Sequence, residues 1–347
     1  MNSFLKISLL LTLVIFSSCN SNAQKKDDYT AKIDSLIKVA NPKFNGAILI
    51  SQNGKTLYKK IHGVTDFTTK KPLQQDSQFE IMSNGKLITA VLVLLEVEQG
   101  KIDVNAPIKK YLPQLTQTWA DSVTVHQLLN HTHGIIALDK PLLFKPGSDY
   151  KYGNLNFSLL GKIVEGTSGK SYSDLANALF RKLKMKNTNV YVKGQFPKLV
   201  TGYSIENNVY KPVTNSMINP DNLGAVGVLS TVDDLAIWNN NLHKGKIIKP
   251  ETYQLMLRYT ILSQHNFFGK EKEGYGYAIR IIEKEAVKYI GHTGLGDGFS
   301  SVNIYFPESD VSLIAMENLM PDNPDLFYAS EFKIKNILLK SALLRKI

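Results

Sequence analysis

Cysteine is almost absent from this chain of 347 residues: the only one is Cys19. With no second thiol there is no internal disulfide, so the fold must be held by its core. Arginine is nearly as scarce. Arg181, Arg258, Arg280 and Arg345 are the only arginines among 41 Lys and Arg residues. The net charge of +11 therefore rests on lysines, scattered in ones and twos instead of gathered on a stripe. Nucleic-acid readers cluster their charge and favour arginine for bidentate base contacts, so no nucleic-acid partner is expected. A general pull towards anionic envelope surfaces fits the charge better. Also missing is an apolar run of the ~20 residues that a membrane-spanning helix needs. There is no internal repeat, and the length allows about two domains of roughly 150 residues or one large nested one.

What is present begins with MNSFLKISLLLTLVIFSSC: one lysine, ten mostly apolar residues from Ile7 to Phe16, then small residues. This is the pattern of a targeting signal. Cys19 directly follows Ser17-Ser18, an arrangement similar to the lipobox of bacterial lipoproteins, where the cysteine carries the lipid. A plain secretory signal cut after Ser21-Asn22-Ala23 is the simpler alternative. Either way export is expected, with a lipid anchor on Cys19 as the membrane contact and the cell envelope as the destination. Residues 1–18 are read as signal peptide and 19–28 as a tether.

Beyond the tether, residues 29 to 40 predict a helix, and FNGAILISQNGKTLYKKIHG (44–63) predicts a β-hairpin turning at Asn53-Gly54. A short strand at 78–81 leads to Leu87–Leu95, nine residues interrupted only by Thr89. A helix apolar on every face belongs inside a protein. Helices are expected at 156–169 and 173–183, and from a capping box at Ser230–Asp233 through Leu242. Strands return at 274–283, 286–294, 298–307 and 311–318, and a last helix covers 326–344. Strands at both ends with helices between predict an α+β fold. The expected division is a sheet region of 29–80 with 265–347 and a mainly helical insertion over 81–264.

Ser83 and Lys86 stand three apart where the buried helix begins, a spacing that puts two side chains on one face about 5–6 Å apart. Serine there lies near free amides that favour negative charge, and a buried lysine loses its preference for the ammonium form. The pair therefore suits nucleophilic catalysis. The simpler account is a cap and a solvated first turn. Tyr152-Gly153-Asn154 precedes a helix, where a phenol and an amide could face a cleft or serve as core residue and cap. His292-Thr293-Gly294 falls at a predicted strand end, where His and Thr could donate to a substrate and glycine could admit its backbone. Rival motifs fail. A phosphate-binding loop ending at Lys170-Ser171 needs glycine where Val164 stands, and a nucleophile elbow at 166–170 ends in lysine. His131 and His133 have no evident third metal ligand nearby.

In this order and spacing the motifs resemble the penicillin-recognising serine hydrolases, in the branch of class C β-lactamases, D-alanyl-D-alanine carboxypeptidases and related esterases. LPQLTQTWADSVTVHQLLNHTHGI (112–135), FKPGSDYKYGNLNFSLLGKIVEGTSGKSY (144–172), AVGVLSTVDDLAIW (225–238) and YGYAI (275–279) are similar to that family as well. The resemblance covers roughly residues 30 to 340. It implies a β-lactamase/transpeptidase-like fold with an antiparallel sheet built from both chain ends. It implies an acyl-enzyme on Ser83, with Lys86 its proton partner and Tyr152 a general base and acid, and an oxyanion hole from the N–H groups of Ser83 and Leu295. Asn154, His292, Thr293 and Gly294 are implied as substrate contacts, and no metal or cofactor is required. The substrate implied is a small molecule or peptide: a D-amino-acid peptide, amide or ester.

Three positions depart from the family pattern. Gly85 and Gly153 replace larger residues, which raises a non-catalytic sensor or muropeptide-binding protein as the rival reading. His292 stands where class C β-lactamases carry lysine, which points away from β-lactamase activity and towards the carboxypeptidase and esterase branches.

Overall fold

The computed structural model describes residues 28–207, 209–264 and 272–344. Cys19, the signal peptide and the tether up to residue 27 lie outside the described residues. Helix α1 (Tyr29–Val39) starts at Asp28, whose carboxylate accepts the Ala31 N–H, and buries Ile33 and Ile37 one turn apart. Strands β1 (Gly46–Gln52) and β2 (Lys55–His62) pair as an antiparallel hairpin. Its turn residues Asn53 and Gly54 have φ of 52° and 73°, the left-handed pair a tight hairpin turn requires. Then come β3 (Phe79–Glu80), a 3-10 turn (Met82–Asn84) and α2 (Gly85–Glu98). Every residue of α2 from Gly85 to Leu94 is buried, as its all-round apolar sequence requires.

The middle of the chain carries α3 (Val125–Leu129), α4 (Leu155–Ser168) and α5 (Tyr172–Leu183). Next are β4 (Asn189–Val190), β5 (Tyr203–Glu206), β6 (Val209–Pro212), α6 (Leu223–Val226) and β7 (Val228–Ser230). Two further helices, α7 (Val232–Leu242) and α8 (Pro250–Met256), complete it. The region is thus not helical throughout. Strand β7 pairs with β3 and β4, which ties the residues just before Ser83 to the helical layer. The cap of α7 falls one residue later than expected: Thr231 accepts the Asp234 N–H, because Ser230 is still in β7 and its hydroxyl meets Thr188.

The chain returns to the main sheet with β8 (Gly274–Tyr275), β9 (Arg280–Ile282), β10 (Tyr289–Gly296), β11 (Phe299–Phe306) and β12 (Val311–Glu317). Residues 274–283 are not one strand. Ala278 has φ of 55°, and the N–H groups of Tyr277 and Ala278 donate to Met256 and Leu129 of the helical layer, which folds the segment into a turn. Strand β13 (Leu319–Pro321) pairs in parallel with β5. Helix α9 (Ala329–Leu339) begins after Tyr328, whose φ of 58° interrupts the longer helix expected.

The seven-stranded sheet has the order β2-β1-β12-β11-β10-β9-β8, with antiparallel pairings. Its strands come from both ends of the described chain, and both faces are covered. Ile48, Ile50, Leu313 and Ala315 pack with α1 and α9, while Leu49, Ile314 and Met316 join the core shared with α2 and α4. That double burial explains why β1 and β12 read as apolar runs and not as alternating strands. The fold is α+β, and Ser83 lies where the helical layer meets β10.

Candidate active site

Ser83 stands on the 3-10 turn, not on the α-helix, and α2 starts two residues later. The turn is held under backbone strain: Met82, fully buried, has φ of 48°, a region that non-glycine residues occupy only when their surroundings impose it. The surroundings do so by hydrogen bonds. Asn84 Nδ2 donates to the Ser301 hydroxyl (2.8 Å), and that hydroxyl donates to the Ile81 carbonyl (2.9 Å). Gly294 belongs to the same joint. A Cβ there would stand 2.1 Å from the Ile81 carbonyl oxygen, so glycine is needed for the turn to dock on β10. This packing requirement is separate from the expected role of Gly294 in admitting a substrate backbone.

Lys86 is fully buried, and its Nζ lies 2.8 Å from Ser83 Oγ. The same nitrogen donates to Asn154 Oδ1 (2.7 Å) and to the Ala225 carbonyl (3.2 Å). Burial, aided by the Arg280 guanidinium, holds the amine well below its ordinary pKa. A neutral amine has two hydrogens and one lone pair. In that neutral form Asn154 and Ala225, acceptors at these contacts, take both hydrogens, and the lone pair is available to the serine hydroxyl.

Tyr152 packs beside this pair. Its ring centroid is 5.0 Å from Lys86 Nζ and 4.4 Å from the ring of His131, and it lines the same cavity as Ser83. Burial raises the phenol pKa, and the Arg280 charge and the serine contact act against that rise. Asn154 occupies the N-cap position of α4 without making a cap bond; its side chain reaches Lys86 instead. The ordinary capping account of Tyr-Gly-Asn therefore does not apply.

The third motif lies inside β10, not at its end. Thr293 and Leu295 line a cavity of about 650 Å3 together with Ser83, Tyr152, Arg280 and Tyr328. The pairing of β10 with β9 stops at Gly291–Arg280, so the stretch from His292 onward presents an edge that β9 does not cover. His292 departs from expectation. It is fully buried, with Nδ1 2.6 Å from the Thr293 carbonyl and Nε2 2.8 Å from the Tyr275 hydroxyl. A carbonyl only accepts, so Nδ1 carries the hydrogen and Nε2 accepts from Tyr275. Burial first, then Arg280 and Lys86, keeps the ring neutral. Neither nitrogen is left to donate to a substrate. His292 braces Tyr275, which packs against Tyr152 at 6.4 Å between ring centroids.

Arg280 is the residue that motif reading missed. Only 3% exposed, it pairs with buried Glu273 at 2.8 Å, lines the cavity, and lies 5.7 Å from the Tyr152 ring centroid. One signal was available: a charged residue amid the apolar run Tyr277–Ile282. His131 and His133 are engaged locally, His131 Nδ1 with Asn156 Nδ2 (3.0 Å) and His133 Nδ1 accepting the Ile135 N–H (2.8 Å).

A serine, a buried amine and a phenol converge where a helical layer meets an antiparallel sheet, the layout of the penicillin-recognising serine hydrolases. Residues 38–335 match the Beta-lactamase family, and the chain belongs to it. Protein flp of Staphylococcus aureus is 24% identical over 326 residues, covering 84% of this chain; the chain spans 64% of that relative's length. Two solved structures share the fold. A penicillin binding protein from Bacillus halodurans has a TM-score of 0.76 at 20% identity, covering 88% of this chain and 98% of its own. D-amino acid amidase from Ochrobactrum anthropi SV3 has a TM-score of 0.76 at 21% identity, covering 90% and 99%.

Proposed function

We propose that the chain is an exported serine hydrolase that forms an acyl-enzyme on Ser83 and acts on a D-amino-acid peptide, amide or ester. The observation that carries this reading is the buried Lys86 amine, whose Nζ lies 2.8 Å from Ser83 Oγ and whose pKa burial holds well below its ordinary value. In the first half-reaction Ser83 Oγ attacks the scissile carbonyl as its proton passes to Lys86 Nζ. The tetrahedral oxygen is received by the N–H groups of Ser83 and Leu295. The carbon–leaving-group bond then breaks, and the Tyr152 phenol delivers a proton to the departing amine or alkoxide. The serine proton held on Lys86 Nζ then restores the Tyr152 phenol, so that the net transfer is from Ser83 to the leaving group. Water, deprotonated by the same groups, attacks the ester in the second half-reaction and releases the acid and free Ser83.

Thr293 and Arg280 face the cavity, and their donors suit a carboxylate on the substrate. Asn154 keeps its Oδ1 on Lys86, leaving its amide hydrogens for a substrate carbonyl. The amidase named among the structural neighbours acts on amino-acid amides, and this supports the D-amide class. Export and lipidation at Cys19 rest on the sequence pattern alone. The test is a panel of p-nitrophenyl esters, D-peptides, D-amino-acid amides and β-lactams ranked by kcat/KM. D-configured amides or esters should lead the ranking, and Ser83→Ala should abolish every turnover. A panel with no substrate hydrolysed, or turnover that survives Ser83→Ala, would overturn the proposal.

A further inference from the structure

A second cavity, of about 510 Å3, shares no lining residue with the first. Its wall joins Glu80 of β3, Asp297 at the turn between β10 and β11, and Ser216 of the loop that follows β6. Glu80 is only 4% exposed, and its Oε2 meets no hydrogen-bond partner within bonding geometry among the described residues. Its carboxyl group faces that of Asp297, and burial together with the Asp297 charge pushes it up to about 8. Asp297 is itself engaged, accepting from the Ser216 hydroxyl (2.8 Å) and the Met217 N–H (2.7 Å). Tyr191 also faces the carboxyls, and Lys193 is exposed on the rim. Aromatic and aliphatic side chains such as Phe196, Leu199 and Phe299 make up much of the remaining wall.

Two carboxyl groups, a buried acceptor without a donor and an apolar wall are complementary to one kind of group. We propose that this cavity is a subsite for a primary ammonium on an aliphatic stem, carried by the acyl half of the substrate; the inference rests on the Ser83 reading above. The ammonium hydrogens supply Glu80 Oε2 with its missing donor, the methylenes cover the apolar wall, and the proton on Glu80 leaves to solvent as the cation enters. The reach is short. Glu80 and Ser83 are three residues apart, so their Cα atoms lie within about 11 Å. Met82, beside Ser83, and Met217, on the cavity's loop, meet over Gly296, with sulfur atoms 3.2 and 3.3 Å from where a Cβ would stand. Met82 is fully buried, so its flexible thioether has to turn aside for a stem to pass from one cavity to the other.

The test compares p-nitrophenyl 6-aminohexanoate with the uncharged p-nitrophenyl heptanoate on the full chain. The amino ester should be favoured in kcat/KM by about tenfold or more, the effect of one charge-assisted hydrogen bond. Glu80→Gln should erase that preference while leaving heptanoate hydrolysis in place. Equal rates on the two esters, or a preference that persists in Glu80→Gln, overturn the subsite. Where neither ester reacts, it is the Ser83 reading that fails, and calorimetry with 6-aminohexan-1-ol decides the subsite alone. Saturable binding to the Ser83→Ala chain that is lost on adding Glu80→Gln supports it; no binding overturns it.

Discussion

Replacing Lys86 by methionine separates what this residue does for catalysis from what it does to stability. The stem is preserved, and the amine is lost. Removal of a general base costs about 10²–10⁴ in rate, or roughly 3–5 kcal/mol in the barrier. The stability effect has a definite pH signature. Lys86 is held well below its ordinary pKa by burial and by Arg280, so between its folded pKa and the unfolded value near 10.4 only the unfolded chain binds that proton. Stability therefore rises with pH in that window, by about 1.4 kcal/mol per unit. Below the folded pKa both states are protonated and the cost of the buried charge is constant. Lys86→Met has no such group, so the wild type should gain on it by about 1.4 kcal/mol per pH unit as pH rises within the window. Urea unfolding of both proteins at several alkaline pH values measures the difference. Parallel stability profiles would refute the neutral amine, and with it the assignment of Lys86 as the base.

Three further substitutions probe the frame of the site. A Cβ at Gly153 would lie 3.5 Å from Asn156 Oδ1, a buried acceptor without a donor, so Gly153→Ser should stabilise the fold by about 1 kcal/mol in urea unfolding; a loss of stability would contradict the geometry. Gly85 has φ of −60° and room for a Cβ 3.4 Å from Val228 Cγ2, so Gly85→Ala should gain up to about 1 kcal/mol from helix propensity. A clear loss in thermal unfolding would show that Val228 does not yield. Arg280→Met leaves Glu273 charged and buried, which should cost about 3–5 kcal/mol, and Arg280→Met with Glu273→Gln should recover part of it. Equal unfolding midpoints for the single and double variants would contradict that pairing.

Local chemistry makes much of the site readable in the sequence. The apolar run behind Lys86, interrupted only by Thr89, said that this amine is buried, since no face of that helix suits water. Asn53-Gly54 called for a hairpin because both residues tolerate positive φ. What escaped depends on partners distant in the chain. The strain at Met82 is imposed by Ser301, 219 residues further along the chain, the need for glycine at 294 is set by the Ile81 carbonyl, and Arg280 is brought to the site by a segment whose Tyr277 and Ala278 bond to the helical layer. His292 shows the limit of motif reading. Its position matched a substrate contact, yet Tyr275 and the adjacent carbonyl take both of its nitrogens.

The most direct measurement is peptide mapping by mass spectrometry after incubation with a fluorescent penicillin or an activity-based phosphonate. A single adduct on the peptide containing Ser83, absent from Ser83→Ala and much slower to form in Lys86→Met, is the result expected. An adduct on any other residue, or labelling unchanged by either substitution, would contradict the claim that Ser83 is the nucleophile.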